Sequence, residues 1–265
     1  FSVINAMTQW GSEKIQSTYL PSFAHECDIQ ATFAIHEATS AFNPFNLKTT
    51  ATSNNCKYSI DGEKTLVILG ETADLLLVNA ELNGSPEVFI VKRDNSITAK
   101  KSTAMGMKAE ETVTLKFNQT PAELLGDEDF NYPAFLDLGN LMWCAMAVGT
   151  CEAVKAYCIE YANERTAFGE PISHRQSVAF MIADMAIEID AMRMLILNAA
   201  SLAEAGQAFH REAYLARLLC AEKSMQIGTN GVQILGGHGF TKEHPVERWY
   251  RDLRATAILH SGLHA

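Results

Sequence analysis

One short segment near the start of the chain places four metal-ligand side chains side by side. These residues are His25, Glu26, Cys27 and Asp28. Ligands that converge on one zinc ion normally come from separated positions, because consecutive side chains point in different directions. We therefore favour a polar loop over a metal site for this segment.

Three cysteines in the second half of the chain are seven residues apart. Cys144, Cys151 and Cys158 would share one face of a helix at this spacing. Cysteine at such positions behaves as a small buried hydrophobe, which we favour over a metal-ligand role. The six cysteines of the chain form no CxxC pair, and this usage indicates reduced thiols in an intracellular compartment.

General catalytic motifs do not identify a reaction. The chain has no Walker P-loop and no GxSxG segment. The glycine-rich segment 236–239 follows helix-like sequence instead of a strand, so it does not match a Rossmann fingerprint.

Composition narrows the classes of protein. The 265 residues are 48% hydrophobic and 20% charged, which excludes a disordered chain. A net charge of −10 without a basic cluster argues against nucleic-acid binding. The longest apolar stretch, about residues 141–151, is shorter than the roughly 20 residues of a membrane span, so we expect none. No signal peptide is evident, and we expect a cytoplasmic protein, or one of the mitochondrial matrix in a eukaryote.

Hydrophobic periodicity divides the chain into two halves. Residues 30–118 read as strands, with hairpin turns predicted at Asp61-Gly62 and at Asn83-Gly84. From about residue 132 the period is near 3.6, which predicts long helices. The predicted helices cover 134–163, 178–196, 209–234 and 245–258, and a further helical piece covers 12–23.

These elements predict an α+β protein with a small middle β domain, residues 24–128, and a C-terminal helical bundle, residues 129–265. Residues 1–23 resemble the tail of an N-terminal helical domain. Because the chain starts at Phe1 and not at Met, we expect that domain to be largely missing.

Several segments resemble the acyl-CoA dehydrogenase family. Three lie in the second half, namely Glu164–Ile172 with Gln176, Gly231–Phe240 and Pro245–Asp252. Three lie in the first half, namely Gly11 to Pro21, Asp61–Lys64 and Met105-Gly106. The resemblance covers nearly the whole chain.

This resemblance implies a β-barrel-like middle domain, a C-terminal four-helix bundle and FAD as cofactor. Family members remove an α proton from an acyl-CoA while a β hydride passes to the flavin, which gives a trans-2-enoyl-CoA. The resemblance also implies a role in lipid metabolism, dimers or tetramers of one chain or of related chains, and electron-transferring flavoprotein as acceptor.

The resemblance assigns one group of residues to the binding of the ADP half of FAD. In the family, a subunit contributes this part of the site to the FAD of its neighbour. Arg165 matches the arginine at the flavin pyrophosphate, and Phe168 and Gln176 match residues beside it. Gln233, Gly236 and Gly237 match the segment at the adenine end. The alternatives are a surface salt bridge for Arg165 and a helix stop for the glycines.

The sequence differs from the family at positions that match its catalytic base and its contacts with acyl-CoA. The position of the catalytic glutamate is occupied by His260, and the other position used for the base in some relatives is Gly139. Asn140 replaces an arginine that helps to hold CoA. Asp137 matches an acidic residue along the acyl-CoA channel, with an ordinary first-turn helix acid as the alternative.

The sequence also differs from the family at positions that match its contacts with the flavin. His36 and Phe42 replace a threonine and a serine, while Leu66 and Ile68 replace a tryptophan and a threonine. The hydroxyl near flavin N5 is lost, since an aliphatic side chain cannot donate a hydrogen bond.

Three hypotheses follow from this pattern. The chain is a dehydrogenase that uses His260 as its base, because imidazole titrates near pH ~6.5. Alternatively, it is a non-catalytic member of a mixed oligomer that completes the FAD site of a partner. A third reading is a flavin-free binding or scaffold protein on the same fold.

Overall fold

The computed structural model describes residues 2–25, 29–39, 42–55, 57–126 and 129–259, without the side chain of His25. Glu26, Cys27, Asp28 and His260 lie outside the described residues. The chain separates into two compact units. The first contains the residues up to Gly139 together with Leu259, and the second contains Asn140–Ile258.

The first unit contains two helices and a seven-stranded sheet. The helices are α1 (Ser2–Trp10) and α2 (Glu13–His25). The strands are β1 (Ala31–Ala34), β2 (Thr50–Asn54), β3 (Lys57–Ile68), β4 (Leu75–Leu82), β5 (Ser85–Lys92), β6 (Ile97–Lys101) and β7 (Thr112–Leu124). The strand order β4-β2-β3-β7-β5 returns to β4 through the β4–β5 pairing, so the sheet closes like a barrel.

One of the two predicted hairpin turns is confirmed. Asn83 and Gly84 connect β4 to β5 with φ values of +51° and +90°, which the favoured two-residue hairpin turn requires.

The other predicted turn, at Asp61-Gly62, is wrong. Gly62 lies inside the continuous strand β3, at a register shift against β7. Its φ is +148°, and a Cβ there would lie 2.7 Å from the Cα of Thr49. The Asp61 carboxylate accepts a hydrogen bond of 2.9 Å from the Gln119 amide. The Asp-Gly pair therefore forms a bulge, since glycine allows the close backbone approach that a bulge needs.

The second unit is helical. It contains most of α3 (Tyr132–Glu164), then β8 (Thr166–Ala167), β9 (Glu170–Pro171), α4 (Gln176–Glu204), α5 (His210–Leu235) and α6 (Val246–Thr256). The helix predicted over 178–196 is confirmed as part of α4, and its Met185, Ile189 and Met192 are buried in the core. Cys144, Cys151 and Cys158 are fully buried there, as predicted for small hydrophobes.

Helix α3 begins in the first unit because its first turns complete the core of that unit. Tyr132, Phe135 and Leu136 are buried with residues of α1, β4 and β5. The Tyr132 hydroxyl accepts a bond of 2.8 Å from the Asn79 amide and donates one of 2.9 Å to the Pro44 carbonyl. The compact division thus falls after Gly139, within α3.

The expected absence of a membrane span needs one correction. By length and composition α3 could cross a membrane, because its apolar character extends well beyond residues 141–151. However, 56% of its most apolar window is buried inside the protein, and a core helix passes the same test. The finding is therefore weak evidence for a span.

Candidate functional site

The hairpin β8–β9 presents an aromatic ring at its tip. Phe168 and Gly169 connect the two strands with φ values of +57° and +86°. Such a φ is unusual for a bulky residue and indicates local strain. The ring is 96% exposed, and the Arg175 guanidinium lies 5.6 Å from its centroid. Strain and an exposed aromatic ring at one position favour a ligand-binding role over a packing role.

Arg165 lies at the base of the same hairpin. Its carbonyl accepts a hydrogen bond of 2.9 Å from the Ile172 amide, which closes the hairpin. The side chain is exposed, and within the part of the chain that the structure describes its guanidinium has no ion-pair partner. Gln176, the exposed first residue of α4, follows the hairpin. One local segment therefore brings Arg165, Phe168 and Gln176 together.

The glycines after α5 have different structural roles. Gly236 has φ +59° and terminates the helix, which matches the helix-stop alternative. A Cβ on Gly239 would lie 2.4 Å from the Val232 carbonyl oxygen. Gly237 has no such reason to be glycine, because a Cβ there would meet nothing within 4 Å. Its bare backbone faces open space, where a ligand could approach closely.

A cavity of about 400 Å³ connects Arg165 to this glycine segment. Its lining consists of Tyr157, Glu160, Tyr161, Glu164, Arg165, His238 and His244. The Tyr161 hydroxyl donates to the Leu235 carbonyl at 3.3 Å, and its oxygen lies 2.7 Å from Nδ1 of His238. These bonds hold the glycine segment against α3.

A second tyrosine–histidine pair extends this cluster. The Tyr157 hydroxyl lies 2.7 Å from Nδ1 of His244, and the rings of His238 and His244 are 5.3 Å apart. The sequence interpretation missed both tyrosines and both histidines as functional candidates. The available signal was the four-residue spacing of Tyr157 and Tyr161, which places both on one helix face.

In the first unit, a buried ion pair lies next to His36. Lys64 Nζ is 2.7 Å from Glu37 Oε1, and the two side chains are 0% and 4% exposed. Burial raises the pKa of Glu37, but the Lys64 charge and the amides of Lys48 and Thr49 outweigh it, so the pKa lies below its usual value. Burial lowers the pKa of Lys64 to about 8, against the opposing effect of Glu37. Both groups are therefore charged at neutral pH.

The four residues at the predicted flavin-ring positions offer few polar groups. The His36 ring lies 4.6 Å from the buried Phe42 ring, and the buried Nδ1 of His36 has no hydrogen-bond partner. Burial and Lys64 lower the pKa of His36, against a smaller effect of Glu37. Leu66, with φ +56°, and Ile68 lie on β3, and neither has a hydroxyl.

The residues of this chain therefore suit one half of an FAD molecule better than the other half. In the second unit, an exposed arginine and the open backbone of Gly237 suit a diphosphate and its nucleoside. In the first unit, an imidazole packed on a phenyl ring and two aliphatic side chains do not suit an isoalloxazine ring that needs hydrogen-bond donors.

The residues predicted for substrate and base lie mainly at the start of α3. Asp137 is 5% exposed and lies beyond the first turn, so the alternative of a first-turn acid is wrong. Asn140 is also buried, at 4%. Gly139 carries no side chain, and His260 is outside the described residues.

Comparison with known proteins identifies relatives along most of the chain. Residues 133–262 match the family model "Acyl-CoA dehydrogenase, C-terminal domain". An acyl-CoA dehydrogenase from Bacillus subtilis is 32% identical, across 96% of this chain and 70% of that protein. A caffeyl-CoA reductase–Etf complex subunit from Acetobacterium woodii is 32% identical, across 85% and 63%. The structure of butyryl-CoA dehydrogenase from Megasphaera elsdenii is 29% identical, with a TM-score of 0.87 across 98% of this chain and 71% of that one.

Proposed function

The chain belongs to the acyl-CoA dehydrogenase family, and we propose that it takes part in the FAD-dependent α,β-dehydrogenation of an acyl-CoA thioester to the trans-2-enoyl-CoA. The observation that carries this proposal is the exposed group formed by Arg165, Phe168 and Gln176. The names of its relatives support CoA thioesters as the substrate class and include both a dehydrogenase and a reductase.

We infer that this chain contributes the ADP half of the cofactor site to a related partner chain. FAD, when bound, accepts the hydride that leaves the β carbon of the substrate. Arg165 would hold the diphosphate, because a planar guanidinium donates paired hydrogen bonds to phosphate oxygens. Gly237 would allow the nucleoside to approach the backbone after α5, and Phe168 would cover it.

Two further observations favour the lending role over independent catalysis. Gly139 has no side chain that could remove an α proton, so the alternative base position of the family supplies no base in this chain. His36 and Phe42 also contact each other at the positions that match flavin contacts. We propose a hetero-oligomer in a reducing intracellular compartment, and the name of the Etf-complex relative supports an electron-transferring flavoprotein as electron partner.

Absorption spectroscopy tests this function directly. The chain purified alone should lack the visible flavin band, whereas co-expression with a related chain that has the family glutamate should give a yellow complex. An acyl-CoA should bleach that complex. Stoichiometric FAD in the chain alone, with bleaching by an acyl-CoA, would refute the lending role.

Arg165 provides the first mutational prediction. Arg165→Gln should weaken FAD retention by the complex roughly tenfold or more, because a charge-assisted hydrogen bond contributes about 1.5–3 kcal/mol. Arg165→Lys should retain FAD to an extent between those of the wild type and Arg165→Gln. Arg211, which is exposed and paired with Glu212 at 3.2 Å, supplies the matched control Arg211→Gln, which should retain FAD fully. Equal loss of FAD in both glutamine variants would count against a specific role for Arg165.

The second candidate function is an independent dehydrogenase in which His260 is the base. The whole-chain match to an acyl-CoA dehydrogenase favours it. A neutral imidazole can accept a proton near pH 7, since its ordinary pKa is about 6.5. In that case His260→Ala should abolish bleaching by substrate and leave the FAD content unchanged. Unchanged bleaching would remove His260 from the mechanism.

A further inference from the structure

The hydroxyl of Tyr161 bonds on both sides of the glycine pair that follows α5. It donates to the Leu235 carbonyl at 3.3 Å, and its oxygen lies 2.7 Å from Nδ1 of His238. Leu235 directly precedes Gly236 and Gly237, and His238 directly follows them. One side chain of α3 therefore fixes the chain immediately before and immediately after the glycine pair, which includes the open Cβ position of Gly237.

These two contacts define the tautomer of His238. The hydroxyl has one hydrogen, and the Leu235 carbonyl can only accept a hydrogen bond. If the hydroxyl hydrogen pointed at Nδ1, the hydroxyl and carbonyl oxygens would face each other without a hydrogen between them. Each contact has its own hydrogen only when Nδ1 of His238 is protonated and donates to the tyrosine oxygen. In the neutral ring, Nε2 then carries the lone pair and can only accept.

A second tyrosine–histidine pair supports the ring of His238 from the side. The His244 ring lies 5.3 Å from it, centroid to centroid, and Nδ1 of His244 lies 2.7 Å from the Tyr157 hydroxyl. The Tyr161 ring contacts both imidazoles edge to face, at 6.0 and 5.7 Å. These ring contacts need no hydroxyl, so phenylalanine would keep them at either tyrosine position. A Tyr→Phe change therefore isolates the contribution of each hydroxyl.

His238 also belongs to the lining of the cavity of about 400 Å³ that contains Arg165. Its Nδ1 is bonded to Tyr161, so Nε2 is the ring nitrogen left for a ligand. Under the function proposed above, Arg165 holds the diphosphate and Gly237 receives the nucleoside. The hydroxyl and amino groups of a nucleoside are hydrogen-bond donors, which a ring nitrogen that can only accept complements.

We propose that Tyr161 is a positioning residue of the cofactor site. It holds the Gly237 backbone at the place where the nucleoside approaches. It also fixes His238 as the Nδ1-protonated tautomer, so that Nε2 accepts a hydrogen bond from the nucleoside. This inference rests on the function proposed above, but its first two tests need neither FAD nor a partner chain.

The tautomer is measured on the chain alone by nuclear magnetic resonance. With nitrogen-15-labelled histidine at about pH 8, where an imidazole with an ordinary pKa of about 6.5 is neutral, the ring signals of His238 should show hydrogen on Nδ1. The variant His238→Gln identifies these signals by their absence. They should shift toward the Nε2-protonated form in Tyr161→Phe and stay unchanged in Tyr157→Phe. A wild-type His238 protonated at Nε2 would overturn the proposal.

Hydrogen exchange measures how firmly the glycine pair is held. Followed by mass spectrometry, the backbone amides of a peptide within 232–241 should exchange roughly fivefold faster in Tyr161→Phe than in the wild type, because one typical hydrogen bond is lost. Tyr157→Phe removes a tyrosine–histidine bond of the same length, 2.7 Å, and should leave this peptide unchanged. Equal exchange in the wild type and in Tyr161→Phe would overturn the positioning role.

FAD retention connects this arrangement to the proposed function. In the complex with a related chain, Tyr161→Phe should weaken FAD retention roughly fivefold, whereas Tyr157→Phe should retain FAD as the wild type does. Full retention by Tyr161→Phe would overturn its role toward the cofactor. A wild-type complex without FAD would refute the proposed function and with it the ligand role of Tyr161, whereas the tautomer and the exchange rates report on the positioning alone.

Discussion

Replacement of Lys64 by methionine is expected to destabilise the first unit by about 3–5 kcal/mol, because it leaves the Glu37 carboxylate buried without its counter-charge. The Lys48 and Thr49 amides would still donate to Glu37, but two neutral donors do not compensate a buried charge. Urea unfolding followed by tryptophan fluorescence measures the loss. Trp10, which packs against Phe130 and Phe135, reports on this unit.

Two further variants test whether the loss of stability comes from leaving a buried charge unpaired. The double variant Glu37→Gln with Lys64→Met should recover most of the loss, because a neutral pair needs no counter-charge. Lys14→Met breaks a surface pair with Glu123 of similar length, 2.9 Å, in which Lys14 is 80% exposed. It should cost less than about 1 kcal/mol. A Lys64→Met cost no larger than that of Lys14→Met would show that the buried pair is not needed for stability.

The same pair predicts a pH dependence. The pKa of Glu37 is lower in the folded protein than its ordinary value of 4.5, so the unfolded chain binds a proton first as the pH falls. The stabilisation is therefore fully present above about pH 4.5 and decreases as the pH falls through the lower folded pKa. Unfolding midpoints measured between neutral and acidic pH should show this decrease in the wild type and a weaker one in the Glu37→Gln, Lys64→Met double variant.

Gly239→Ala is expected to lower the free energy of unfolding by about 2–3 kcal/mol, which is the second large effect. The added Cβ would lie 2.4 Å from the Val232 carbonyl oxygen, and backbone atoms cannot rotate away as side chains can. Thermal unfolding of the second unit should reveal the loss.

Gly237→Ala is its matched counterpart two residues away. It should leave stability within about 0.5 kcal/mol of the wild type, because the Cβ enters open space. Under the proposed function it should nonetheless lower FAD retention by the complex with its partner. Loss of stability in Gly237→Ala, or full FAD retention by it, would contradict the separation of a structural from a ligand-facing glycine.

The sequence by itself determined the fold class and the family. Residues 178–196 repeat apolar side chains at helical spacing, and Met185, Ile189 and Met192 are buried as this pattern predicts. Asn83-Gly84 forms its predicted turn because the two residues meet a local requirement for positive φ. Local patterns of this kind depend on few distant residues, so they can be recognised in one dimension.

Only the tertiary structure decided which local signals are turns and which are bulges. Asp61-Gly62 has the composition of a hairpin turn, but the pairing of β3 with β7 and the close approach of Thr49 make it part of a strand. The positions of Lys64 and Glu37 in sequence likewise gave no sign of a buried ion pair, because they meet only where the segment after β1 lies against β3.

The same distinction applies to the candidate site. Resemblance predicts a cofactor role for Arg165, Gly236 and Gly237. Only the structure shows that Gly236, with φ +59°, ends α5, whereas Gly237 has no conformation that requires glycine. The tyrosine–histidine cluster joins residues 77 and 87 positions apart, and only helix packing places them in contact. The sequence thus determined the residue types available for chemistry, and the packing of distant elements decided which of them can act together.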